Sequence, residues 1–270
     1  MSTPISTSSE WLRGYDERLD ARVRMVCFPH AGGSAAFYRP WHRGLPPLVE
    51  LHAVQYPGRG ERRTAPLVDD VRTMAGLIVD DLAPLLDRPL ALFGHSMGAF
   101  IAYEAARLLE GRGTPPVHLF VSGQIAPWTP DDVRSGTVRG HPRADIGIAD
   151  ADDEEMVRHL ERLGGTEVEL LADPEMREIF LPYIRNDFRM LQSYRPAVGP
   201  PLTTAITALT GADDPVATPA LAARWRDLTT ADFALEVFPG GHFFLLPEQE
   251  AVLDLVTTSL TQANSIRHQP

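Results

Sequence analysis

The chain has 270 residues, 25 Lys and Arg against 36 Asp and Glu, a net charge of −11, and 44% hydrophobic residues. That length and composition suffice for a sizeable core, while the acidic balance argues against nucleic acid as a partner, because binding it needs basic surface. The lone cysteine, Cys27, excludes an intramolecular disulfide and a multi-cysteine metal site. No apolar run approaches membrane-spanning length, and the polar Ser/Thr-rich start lacks the apolar stretch of a signal peptide, so no membrane association and a cytoplasmic location are expected.

In chain order, residues 1–20 read as a loose lead-in, with Trp11 and Leu12 packing back on the body. Residues 23–28 are apolar apart from Arg24 and read as a buried strand running into Pro29-His30-Ala31-Gly32-Gly33-Ser34. Two adjacent glycines after a strand let backbone N–H groups turn toward a ligand. A helix over 37–43 and a strand over 51–56 follow, the strand ending in Pro57-Gly58-Arg59-Gly60. Asp69 or Asp70 caps the next helix. Its apolar face is Val71, Met74, Ala75, Ile78, Val79, Leu82 and Leu86, at i, i+3, i+4, i+7 spacing. A strand over 90–93, a helix over 99–109 closed by Gly111, and a strand over 117–121 complete an alternation that implies a mostly parallel sheet with helices on both faces.

The alternation then stops. From 125 to 200 the pattern is loop and helix without a convincing strand. Residues 145–155 hold six acids and no base, which reads as a solvated helix N-terminus with Asp152 and Asp153 at the cap. That helix is stopped by Gly164-Gly165, and a long helix over 175–194 follows, with Met176, Ile179, Phe180, Tyr183, Ile184, Phe188 and Leu191 as its apolar set. An all-helical insertion in an α/β chain reads as a lid. After Pro201 come a strand over 203–209, a helix over 220–227, a strand over 233–238 and a closing helix over 248–263. The expected organisation is therefore a core of residues 1–124 and 201–270 with a helical lid of residues 125–200.

The stretch Gly94-His95-Ser96-Met97-Gly98 lies between a strand and a helix. Gly-x-Ser-x-Gly in that setting is the pattern of a nucleophile elbow, a sharp turn that presents the serine above the sheet edge. A serine hydroxyl needs a base, and the base needs an orienting acid. His242 follows the 233–238 strand. Asp213 and Asp214 follow the 203–209 strand. Each lies past the C-terminal end of a strand, where open α/β sheets place their sites. Either acid could serve, but Asp214, three residues past Gly211 with Pro215 ending the turn, is favoured. Ser96 would be the nucleophile, His242 the base and Asp214 the orienter. The Met97 N–H supplies one oxyanion donor, and the Ala31 N–H is the candidate for the second. His95 reads as a packed, hydrogen-bonded residue turned away from the nucleophile, His30 as a support for the Ala31 loop, and Cys27 as a core residue. The remaining histidines show no metal-ligand spacing.

The segments 29–34, Tyr56-Pro57-Gly58-Arg59-Gly60, Gly94-His95-Ser96-Met97-Gly98-Ala99 and Gly240-Gly241-His242-Phe243-Phe244-Leu245 together resemble the type II thioesterases that accompany polyketide synthases and nonribosomal peptide synthetases. The resemblance runs from Trp11 to the terminal helix, and Gly211-Ala212-Asp213-Asp214-Pro215 fits its acid loop. It implies an α/β-hydrolase fold with a helical lid over an acyl pocket. It also implies hydrolysis of acyl thioesters on the phosphopantetheine arm of acyl or peptidyl carrier proteins, with the roles just given to Ser96, His242, Asp214, Met97 and Ala31. Neither metal nor cofactor is implied, since a thioester is already activated, and a monomer suits the resemblance. An acidic carrier would need a local basic surface on this acidic chain, for which Arg59, Arg62 and Arg63 are candidates. The elbow alone leaves open a carboxylesterase or lipase, an acyltransferase, and a non-catalytic binder on the same fold. A complete Ser-Asp-His set argues against the binder.

Overall fold

The computed structural model describes residues 9–127, 147–164, 168–197 and 199–267. Among them, seven strands form one sheet in the order β1-β3-β2-β4-β5-β6-β7. They are β1 (Leu12–Gly14), β2 (Val23–Phe28), β3 (Val49–Val54), β4 (Leu90–His95), β5 (His118–Ser122), β6 (Ile206–Gly211) and β7 (Phe233–Phe238). All neighbouring pairs are parallel except β1 with β3. Five long helices accompany them: α1 (Val71–Asp81), α2 (Met97–Gly111), α3 (Asp153–Leu163), α4 (Pro174–Ser193) and α5 (Gln249–Arg267).

Side chains along a strand alternate between faces, so a sheet covered on both sides needs apolar residues at every position. β2 and β4 do this. Val26, Phe28, Leu90 and Leu92 join a core shared with α1, α2 and the 148–194 segment. Met25, Cys27, Ala91 and Phe93 join a second core with Trp41 and the α5 residues Val252, Val256 and Leu260. Cys27 is thus a buried core residue, and burial pushes its thiol well above the ordinary value.

Several expectations shift. The lead-in is partly structured: Leu12–Gly14 pairs antiparallel with β3, Trp11 and Leu12 are buried, and the Arg62 guanidinium lies 3.8 Å over the Trp11 ring. Three residues are too few to show a strand period. Residues 1–8 of that lead-in lie outside the described residues. The helix expected over 37–43 is instead a 3₁₀ turn (Ala35–Tyr38) and a short helix (Trp41–Gly44) separated at Pro40, which lacks the N–H that continuity requires. The helix expected over 220–227 is likewise a short helix (Pro219–Ala222) running into a 3₁₀ turn (Ala223–Leu228).

Within 125–200 the described residues contain helix and turn but no strand. Asp152 caps α3 by accepting from the Glu155 N–H at 2.8 Å, with Asp153, Glu154 and Glu155 in the first turn. The acidic run there complements a helix N-terminus. Its first two residues, 145 and 146, lie outside the described residues, as do 128–144, 165–167 and 198 of the expected lid. α4 buries Leu181, Ile184, Phe188 and Leu191 in the same core as α1 and α2.

Candidate active site

The turn from β4 into α2 is tight because two glycines let backbones touch. A Cβ on Gly94 would run into the Gly98 carbonyl, and a Cβ on Gly98 would run into the Phe28 carbonyl of β2. Between them Ser96 adopts φ 52° and ψ −118°, the single positive-φ non-glycine conformation among the described residues. Such a conformation costs on the order of 1–3 kcal/mol and persists where the surroundings enforce it. Here the Ser96 N–H donates to the Ser122 carbonyl at the end of β5 (2.8 Å) and its carbonyl accepts from Ala99 (2.9 Å).

The second and third groups come from β6 and β7. Their terminal loops are joined by backbone bonds, Ala212 N–H to Phe238 O at 2.8 Å and Asp213 N–H to Gly240 O at 2.9 Å. This pairing turns Asp214 inward, where it and His242 are both buried. The His242 Nδ1 lies 3.1 Å and 3.0 Å from the two Asp214 carboxylate oxygens. A carboxylate only accepts, so Nδ1 carries the proton and Nε2 is left basic. Asp214 Oδ1 also accepts from the Val216 and Ala217 N–H groups at 2.8 and 3.1 Å. Burial pushes the Asp214 carboxyl up. The hydrogen bond and charge of His242, with those two N–H groups, outweigh burial and hold it below the ordinary value. Asp213 is exposed. Of the two acids that the turn leaves open, Asp214 is the one in contact with His242.

The His242 ring lies against Gly123, where an added Cβ would sit 3.4 Å from Cε1; Gly123 directly follows Ser122, the acceptor of the Ser96 N–H. Ser96, from the end of β4, and His242, from the loop after β7, therefore both lie against the end of β5. Ser96 Oγ itself has no hydrogen-bond partner among the described residues, and catalytic hydrogen bonds are often loose before substrate binds. The Met97 N–H, at the helix start, and the Ala31 N–H, in the loop after β2, have no acceptor among the described residues either. Both are free to donate to a developing oxyanion.

His95 is buried, its Nδ1 3.0 Å from the Ser122 hydroxyl. It is packed and hydrogen-bonded as expected, but its ring centroid is only 5.2 Å from that of His242. His30 stands beneath the Ala31 loop between Phe37 (4.7 Å) and Phe243 (4.8 Å). Burial, then the neighbouring His242 and Arg59, push His30 down to about 3. Burial, then His242 and His30, push His95 well below its ordinary value. Burial thus favours the neutral form of both rings, which suits them to packing.

The basic docking surface requires a correction. Arg59 is buried, with both guanidinium nitrogens on the Asp187 carboxylate at 2.7 and 2.8 Å. Arg62 covers Trp11, so Arg63 alone of the three is exposed. The Gly58-Arg59-Gly60 turn bends the arginine inward instead of outward. The partner was legible: Asp187 stands three residues after Ile184 and four before Leu191, on the apolar stripe of α4, where an acid demands a partner. Among the described residues no group of three His, Cys, Asp or Glu is placed to hold a metal ion.

Residues 23–260 match the model of the thioesterase domain family. A probable cadicidin biosynthesis thioesterase of Streptomyces griseus is 43% identical over 97% of this chain and 68% of its own length. The thioesterase PikA5 of Streptomyces venezuelae is 37% identical over 90% of this chain and 83% of its own. The solved structure of the type II thioesterase BorB from the borrelidin biosynthetic cluster superposes with a TM-score of 0.81 at 38% identity, covering 93% of this chain and 97% of that one.

Proposed function

Since the chain belongs to the thioesterase family, we propose that it is an editing thioesterase of polyketide and nonribosomal peptide assembly, removing acyl groups from the phosphopantetheine arm of carrier proteins. The observation that carries the reading is the buried His242–Asp214 pair beside a serine held at positive φ. In the proposed cycle the Ser96 hydroxyl attacks the thioester carbonyl while His242 Nε2 takes its proton. The Met97 and Ala31 N–H groups hold the oxyanion, and the thiol leaves with the proton from His242. Water, deprotonated by the same imidazole, then attacks the acyl-enzyme and releases the acid. Asp214 keeps the tautomer and balances the imidazolium charge. No metal or redox group is needed for these steps.

The 125–200 segment is the proposed lid over the acyl pocket. α4 supports that reading, because its apolar face packs into the core that also holds Met97. The proposed working unit is the monomer, as every group of the site comes from one chain. No helix among the described residues is long and apolar enough to cross a membrane, and the reading puts the protein in the cytoplasm beside its carriers.

The test is a panel of acyl groups loaded on carrier protein, with deacylation followed by mass spectrometry. Ser96→Ala is expected to lower kcat at least ~10³-fold and Asp214→Asn about 10³-fold. Full activity in Ser96→Ala would defeat the serine mechanism. A higher kcat/KM on a matched oxygen ester would move the assignment to a carboxylesterase.

A further inference from the structure

A buried ion pair is a poor device for stability alone, because desolvating two charges consumes most of their attraction, and apolar residues of similar size often serve as well. Arg59 and Asp187 form such a pair, with side chains 3% and 0% exposed. What apolar residues could not supply is their remaining hydrogen bonds. Asp187 Oδ2 accepts from the Gly32 N–H at 2.8 Å, and the Arg59 Nη1 donates to the Gly33 carbonyl at 3.0 Å. Both go to the loop that carries Ala31. That loop is a turn closed by the Gly33 N–H on the His30 carbonyl (3.0 Å), with Gly32 at φ 80° in its left-handed corner. A turn of this kind can flip its central peptide. The negative charge of Asp187 faces the Gly32 N–H and disfavours the flipped form, which would bring the Ala31 carbonyl toward it.

The pair is itself held from behind. Gln55 Nε2 donates to the Arg59 carbonyl (3.0 Å) and Gln55 Oε1 accepts from the Ala35 N–H (3.2 Å), so the turn that carries Arg59 and the far end of the Ala31 loop are tied to one side chain just past β3. The Arg59 guanidinium lies 4.4 Å from the Tyr183 ring centroid, and Ile184 approaches Gly32 closely enough that a Cβ there would meet Cγ1 at 3.2 Å. α4 and the loop after β2 thus pack as one unit. Drawing α4 away would strand a charge on each side.

We propose that Arg59 and Asp187 are positioning residues that fix the Ala31 loop for oxyanion binding and bind α4 to that loop as a fixed wall of the site. The proposal rests on the reading of the Ala31 N–H as an oxyanion donor. It makes the pair act on the transition state and little on ground-state binding.

The test replaces both charges in the full chain, Arg59→Met with Asp187→Leu, and assays an acyl-pantetheine thioester. Circular dichroism and thermal unfolding check the fold. The expected result is a folded protein whose kcat falls about 10²-fold with KM within threefold, matched by a similar loss of affinity for a trifluoromethyl ketone analogue of the tetrahedral intermediate. Arg59→Lys keeps the charge but loses the fork; it is expected to cost about tenfold in kcat at unchanged KM, and it decides the matter if the double variant does not fold. A folded double variant with kcat within threefold of the parent, a loss confined to KM, or an unaffected Arg59→Lys overturns the proposal. Ser96→Ala is assayed alongside. An active Ser96→Ala fails the serine reading whatever the pair does, whereas an inactive Ser96→Ala beside a fully active double variant fails the positioning role alone.

Discussion

The two halves of the site reach their geometry by different means. The half that holds Ser96, Asp214 and His242 is set by backbone on backbone: Gly94 against Gly98, Gly98 against Phe28, and the Asp214 and His242 loops joined by N–H···O=C bonds. The half that holds Ala31 is set by side chains: the Arg59–Asp187 pair in front and the His30, Phe37 and Phe243 rings beneath. The first half should be intolerant of added volume, the second intolerant of changed charge.

Gly98→Ala attacks the first half where it is tightest and is expected to have the largest effect. The new methyl would overlap the Phe28 carbonyl, and neither β2 nor α2 can retreat without opening the core between them. A loss of more than ~4 kcal/mol is expected, read as a fall in Tm of more than ~10 °C. A variant melting within 3 °C of the parent would break the claim that backbone contact fixes the elbow.

The buried histidines give the next effect. His30 is pushed down to about 3, mainly by burial, and His95 well below its ordinary value for the same reason. Away from the site, His118 is pushed down to about 4, again by burial, while bonding the Thr207 hydroxyl at 2.8 Å. As pH falls below about 6.5 these rings take up protons more readily in the unfolded chain than in the folded one, so stability falls as pH falls. A histidine protonated in the unfolded chain alone contributes at most about 1.4 kcal/mol per pH unit. Asp214 does not contribute in this window, because a carboxyl held below its ordinary value loses its stabilisation only at lower pH. Urea unfolding at pH 7, 6 and 5 reads the slope, and His118→Gln should make it shallower. An unchanged slope in that variant would show that burial does not keep these rings neutral.

The same contrast explains what could be read from the residues alone. The elbow, the acid loop and the His242 loop are local patterns, each a few residues long beside a strand, so chain order alone brings Ser96, Asp214 and His242 to one edge. The period-2 and period-3.6 patterns likewise give the sheet and helices, with boundaries displaced by a residue or two where strands end in glycine turns. β1 was not legible, because three residues at a sheet edge show no period. The Arg59–Asp187 pair was missed for another reason: its members are 128 positions apart. Local sequence does not say which way a glycine turn points its side chain, so Arg59 reads as a surface charge. Only the acid on the apolar stripe of α4 signalled that a buried cation was needed.

The smallest expected effect is the sharpest probe of the first half, because it separates position from charge. Asp213 and Asp214 are adjacent, equally charged and in one turn, but they differ in direction. Asp213 is exposed and its backbone N–H makes the Gly240 bond, whereas Asp214 is buried and its side chain holds His242. Asp213→Asn removes a charge that solvent already screens and leaves the backbone bond in place. Its kcat and KM on the loaded carrier should stay within twofold of the parent, against the roughly 10³-fold fall expected of Asp214→Asn. A tenfold fall in kcat for Asp213→Asn would mean that the field of the loop, and not the contact of one carboxylate, prepares His242. The difference between the two halves would then be one of degree, with charge setting the geometry in both.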